Sequence, residues 1–162
     1  MILLELFNTV APVKWGAYRP GLGLTGTFEV GGVPYFFHFA ETHDRGFEFA
    51  FSVSKAFASK QGIKDPYGNT GLNGQASIAV FSTAIDILLT FIKNRKPRYV
   101  DFIGKDEYGK GDLYSRIMKK VASRFEAIGY GVNETRIDGL GQVEFRLKRK
   151  APVISKPTFE PK

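Results

Sequence analysis

Residues 25–53 read TGTFEVGGVPYFFHFAETHDRGFEFAFSV, and the fold turns on this stretch. Two runs rich in β-branched and aromatic side chains, residues 25–30 and 33–40, flank Gly31-Gly32. Such a two-residue link is a hairpin signal, because tight primed turns need positive φ. Residues 41–46 make a second, polar turn. After it Phe47, Phe49, Phe51 and Val53 alternate with Glu48, Ala50 and Ser52. A period of two marks a strand buried on one face. Three consecutive antiparallel strands are therefore predicted.

Towards the C-terminus the period changes. Ile78, Phe81, Ile85, Leu88 and Ile92 recur at spacings of three and four, which predicts a helix over residues 76–94, ended by Pro97. Residues 99–104 are a short β-rich run. A second helix is predicted over residues 112–128, with Leu113, Ile117, Val121, Phe125 and Ile128 facing inward and Gly129 as its C-terminal cap. Residues 130–137 and 141–148 read as two closing strands. Towards the N-terminus, residues 2–7 read as a short strand and residues 8–24, with Pro12 and Pro20, as a long loop. A strand–helix–strand–helix centre requires a crossover and hence some parallel pairing. The predicted class is α+β: a mixed, mostly antiparallel sheet with two long helices packed on it. Residues 1–150 form the expected single domain, and the Pro-rich, charged residues 151–162 a flexible tail.

Composition narrows the function. The 162 residues contain no cysteine, which excludes disulfides and thiolate metal sites, and only two histidines, His38 and His43. His38, within Tyr35-Phe36-Phe37-His38-Phe39, is expected to pack across strands rather than bind a metal. Residues 1–75 hold six Lys/Arg and six Asp/Glu, while residues 76–162 hold 17 against 10, so the whole excess of +7 lies in the second half. That asymmetry suits an anionic partner such as nucleic acid, a phosphorylated cofactor or an acidic protein, or a solvated basic surface. Arg116, Lys120 and Arg124, spaced by four, share one helix face with Lys119 beside them. Lys148-Arg149-Lys150 ends the last strand, and Arg95-Lys96 and Arg98 join the first helix to the next strand. No apolar stretch is long enough to span a membrane, and no basic-then-apolar leader is visible, so a cytoplasmic protein is expected.

Gly71-Leu72-Asn73-Gly74-Gln75-Ala76 opens the first helix. A helix start has unpaired N–H groups and partial positive charge, and glycines let the backbone approach a phosphate closely. The alternative for this segment is a plain loop with Asn73 as the N-cap. Glu48 and Asp101, on strands beside a cleft, are candidate proton acceptors, or surface charges.

From residue 25 to residue 148 the element order resembles the GNAT superfamily of acyl-CoA-dependent N-acyltransferases. In that family three antiparallel strands precede a Gly-rich loop and helix that hold the coenzyme A pyrophosphate, and a strand, a helix and two strands follow. The family's Arg/Gln-x-x-Gly-x-Gly/Ala pattern is matched at Gly74 and Ala76, with Gly71 in place of the leading Arg/Gln. Leu113-Tyr114 resembles the family element whose tyrosine protonates the departing thiolate. The two helices usual between the family's first and second strands have no counterpart. The resemblance implies acetyl-CoA as acyl donor, held by Gly71, Leu72, Asn73, Gly74, Gln75 and Ala76. Phe51, Ser52 and Val53 would pair with the pantetheine arm, Tyr114 would act as acid, Glu48 or Asp101 as base, and an amine would be the acceptor. The chain's small size and partial motifs also resemble phage accessory proteins, which would place it in a host cytoplasm. A non-catalytic relative would use the same scaffold to bind a protein or nucleic acid through the basic face formed by Arg116, Lys119, Lys120, Arg124, Lys148, Arg149 and Lys150.

Overall fold

In a computed structural model, residues 10–54, 59–60, 74–105, 110–137 and 142–150 are described, with backbone alone for residues 74–78, 103–105, 110–114, 136–137 and 142. The expected strand over residues 2–7, most of the long connection after residue 54, and the tail lie outside the described residues.

The elements are β1 (Val13–Trp15), β2 (Gly23–Val30), β3 (Val33–Glu41), β4 (Gly46–Val53), α1 (Gly74–Arg95), β5 (Tyr99–Lys105), α2 (Lys110–Glu126), β6 (Tyr130–Ile137) and β7 (Gln142–Arg149). They form an α+β fold with one seven-stranded sheet in the order β1-β2-β3-β4-β5-β7-β6. Only β4–β5 is parallel; the other five neighbouring pairs are antiparallel. Gly31 and Gly32 have φ of 57° and 78°, the positive pair a primed hairpin turn requires. One expectation fails. The stretch over residues 8–24 is not all loop, because Val13–Trp15 pairs with Phe28–Gly26 and β2 begins already at Gly23. Three residues between Pro12 and Gly16 are too few to show a period of two, so β1 left no pattern to read.

The buried face of the sheet is aromatic. Phe28, Phe37, Phe39, Phe49 and Phe145 point to it and are all but inaccessible. Phe39 stacks on Phe91 of α1 with ring centroids 3.8 Å apart. Burying each such ring contributes about 1.5–3 kcal/mol. Phe49, Phe51 and Phe102 of the sheet meet Leu88 of α1 and Met118 of α2 around a common cavity, so both helices cover the same face. The edge strand β1 adds Trp15, packed edge-on against Phe37 at 5.3 Å. The opposite face is mostly polar, with Thr25, Thr27, Glu48 and Arg146 exposed and Phe36 among them.

Candidate functional site

β4 and β5 run side by side only from Gly46↔Tyr99 to Phe49↔Phe102. Past that point each strand follows its other neighbour: β4 stays with β3 as far as Val53↔Tyr35, and β5 with β7 as far as Lys105↔Gln142. The parallel pair therefore parts towards its carboxyl ends. Backbone direction along an antiparallel strand alternates with period two. Because the Ser54 N–H donates to Pro34 O at 2.9 Å, the even-numbered residues of β4 face β3, and the Phe51 and Val53 N–H and C=O groups face the edge that β5 has left. Both helices start at this same end of the sheet, α1 at Gly74 and α2 at Lys110. The carboxyl ends of diverging parallel strands, with helix N-termini beside them, are where α/β sheets take ligands.

Behind the fork, on the helix side, lies an apolar cavity of about 10 Å³ between Phe49, Phe51, Phe81, Leu88, Phe102 and Met118. It has room for about one small group. Ser115 lies on α2 one turn before Met118, on the same helix face and nearer the fork. Among the described residues its buried hydroxyl has no hydrogen-bond partner. A buried hydroxyl left unpaired costs free energy, so it marks a place where a ligand's polar atom would be welcome. Sequence reading missed Ser115, since only its burial and lack of a partner single it out.

On the polar face, Glu48 and Asp101 are cross-strand neighbours. Their environments differ. Arg146 of β7, opposite Asp101 in register, binds both of its carboxylate oxygens, Nε to Oδ1 at 2.7 Å and Nη2 to Oδ2 at 2.8 Å. The bond to Asp101 raises the Arg146 guanidinium further above its ordinary value. The Asp101 side chain is 13% exposed. Glu48 is exposed, and among the described residues nothing hydrogen-bonds its carboxylate. His38 is half-buried on this face beside Phe36, 6.1 Å between ring centres.

The expected coenzyme residues fall in three groups. Phe51, Ser52 and Val53 border the fork. Gly74, Gln75 and Ala76 form the first turn of α1, and Gly71, Leu72 and Asn73 lie outside the described residues. Tyr114 is in the second turn of α2, at the fork end, with its backbone alone described.

The basic residues separate into two surfaces. Arg116, Lys119, Lys120 and Arg124 lie exposed along α2. Lys148, Arg149 and Lys150 belong instead to the opposite end of the sheet from the fork. There they meet the end of α1 (Lys93, Arg95, Lys96), Arg98 before β5, and Arg45 in the β3–β4 turn. The segments are stitched by main-chain bonds: Arg98 N–H to Arg45 O at 3.2 Å and Arg149 N–H to Arg98 O at 3.0 Å, with Arg149 Nη1 donating to Lys96 O at 3.0 Å. Two tyrosine clusters close this end. Tyr18 donates to Glu41 and carries the Arg95 guanidinium 3.8 Å above its ring. Tyr99 donates to Asp44, contacts Thr42 Oγ1 at 3.1 Å, and lies 4.2 Å beneath the Arg146 guanidinium. The Tyr99 bond holds the Asp44 carboxyl below its ordinary value and raises the Tyr99 hydroxyl above its own.

Among the described residues no group of three His, Asp or Glu side chains could hold a metal ion, and no helix is long and apolar enough to cross a membrane. No protein-family model, no curated protein and no solved structure matches the chain.

Proposed function

We propose that the chain is a GNAT-like, acyl-CoA-dependent N-acyltransferase that moves an acetyl group from acetyl-CoA to an amine. The observation that carries this reading is the parting of β4 and β5 after Phe49↔Phe102. It leaves the backbone groups of half-buried Phe51 turned to the side that β5 has left, which suits an amide group of a pantetheine arm, while Val53 beyond it is wholly buried. The element order β2–β3–β4, α1, β5, α2, β6–β7 supports the same reading, because it is the order the resemblance implies. The start of α1, Gly74 to Ala76 with Gly71, Leu72 and Asn73 before it, is the natural place for the pyrophosphate. The cavity behind the fork, about 10 Å³, would take no more than the methyl end of an acyl group, which favours one as small as acetyl, and Ser115, one turn before the cavity-lining Met118, would donate to the thioester carbonyl oxygen.

Of the two carboxylates, Glu48 is the one available as base, since both Asp101 oxygens are held by Arg146. The amine approaches on the polar face and its nitrogen bonds to the thioester carbonyl carbon. The carbon–sulfur bond breaks, the proton lost by nitrogen goes to Glu48, and the Tyr114 hydroxyl protonates the leaving thiolate. Position and electrostatics do the work, as acyl transfer requires. Asp101 with Arg146 ties β5 to β7 on the far side of the fork from β4.

Titration calorimetry with acetyl-CoA tests the proposal. Wild type should bind, and Gly74→Glu should not, because a carboxylate would occupy the anion's place. Glu48→Gln should keep its affinity but turn over about 100-fold more slowly. Absence of binding at millimolar acetyl-CoA would remove the acyltransferase reading and leave a non-catalytic binding role.

A further inference from the structure

We infer that the basic end of the sheet, opposite the fork, is a docking surface for the phosphodiester backbone of a nucleic acid. This does not rest on the acyltransferase reading. Four separate segments converge there: the β3–β4 turn, the end of α1, the lead into β5 and the end of β7. All their Lys and Arg residues are exposed, against Asp44, Glu126 and half-buried Glu41 among the described acids at this end, and Glu41 already accepts from Tyr18. Tyr99 and Thr42 already engage Asp44. The cations are not a loose fringe, because main-chain bonds between Arg45, Arg98 and Arg149 hold their segments in register.

A second, independent observation concerns backbone conformation. Among the described residues, the two non-glycine residues with left-handed backbone are Arg45, φ 71°, and Lys96, φ 48°. Both are basic, and both sit at this end. Left-handed backbone disfavours any long side chain, and glycine or asparagine would sit there more easily. Keeping a cation at both positions at that cost points to a use for the charge.

The chemistry favours a polyanion over a protein or a lipid surface. None of the four segments exposes a large apolar side chain. Protein interfaces are anchored by buried aromatic or aliphatic residues, and interfacial membrane binding needs apolar insertion. Among the described residues Leu22, on the turn before β2, is the one exposed large apolar side chain at this end. Cations without an apolar anchor fit phosphate contacts, whose affinity comes from counterion release.

Fluorescence anisotropy with a labelled 25-base DNA, single-stranded and duplex, tests the inference. At about 50 mM salt wild type should bind, with affinity falling steeply as salt rises. Replacing Lys93, Arg98, Lys148 and Lys150 together by Gln should weaken duplex binding by at least about 30-fold and lower the salt slope by about three. Arg45→Gly with Lys96→Gly should weaken binding while leaving the melting temperature unchanged or higher, an outcome a purely structural role for these residues would not give. No binding by wild type would overturn the proposal. So would an equal loss in the α2 variant Arg116→Gln, Lys120→Gln, Arg124→Gln, or binding to phosphatidylserine vesicles but not to DNA.

Discussion

The two ends of the β4–β5 pair are built on opposite terms. At the amino end the strands are held together by side chains. Gly46 allows the Tyr99 ring to lie directly over the backbone, with a Cβ at Gly46 falling 2.0 Å from the ring, and Tyr99 is tied in turn to Asp44, Thr42 and Arg146. At the carboxyl end no such network joins them among the described residues. The strands diverge after Phe49↔Phe102 and leave a small cavity. A sheet can stay open at one end because it is clamped at the other. The clamp holds the amino end of the pair together, so the opening lies beyond Phe49↔Phe102 alone. The fork should therefore tolerate changes in volume that the clamp does not.

The largest effect is expected at the clamp. Gly46→Ala forces the Tyr99 ring out of its place and should cost about 2 kcal/mol in urea unfolding. Acetyl-CoA affinity per folded molecule should hold, and a stability equal to wild type would mean the clamp is not closed as described. At the fork, Phe81→Leu trims a half-buried ring from the cavity wall. It should cost about 1 kcal/mol of stability, yet raise the preference for propionyl-CoA over acetyl-CoA by about tenfold in kcat/KM, roughly the worth of one methylene in an apolar pocket. An unchanged preference would separate the cavity from the acyl group. The smallest effect is a pH dependence. The folded Asp44 carboxyl sits below its ordinary value of 3.8 because it accepts the Tyr99 hydroxyl. Its contribution is complete above that value and is lost as pH falls through the folded value. Tyr99→Phe should thus lower the melting temperature at pH 7 more than at pH 2. An equal loss at both would show that the Asp44 bond is not what the hydroxyl supplies.

Local pattern carried much of the fold. The alternation from Phe47 to Val53, the Gly31-Gly32 turn and the stripes Ile85–Leu88–Ile92 and Ile117–Val121–Phe125 each depend on residues close in sequence, and each places its element within two residues of where it lies. Register between distant segments was not legible. Asp101 and Arg146 are 45 positions apart, and only the β5–β7 pairing brings them together. The fork has no sequence signature, because nothing in β4 or β5 marks where their pairing stops. The basic residues illustrate the same limit. A spacing of four revealed the α2 stripe, whereas the basic end is assembled from four segments that share no pattern.

The chain has a single tryptophan, and its place decides what optical spectroscopy can see. Trp15 sits on β1, against Phe37, three strands away from the fork at β4. Its emission reports whether the short edge strand is seated on β2. It does not report directly on either end of the β4–β5 pair. A shift on adding acetyl-CoA or DNA would signal movement carried across β2 and β3, while a constant spectrum would be compatible with full occupancy. Binding at either end is therefore better followed by heat or by a labelled ligand than by the protein's own fluorescence.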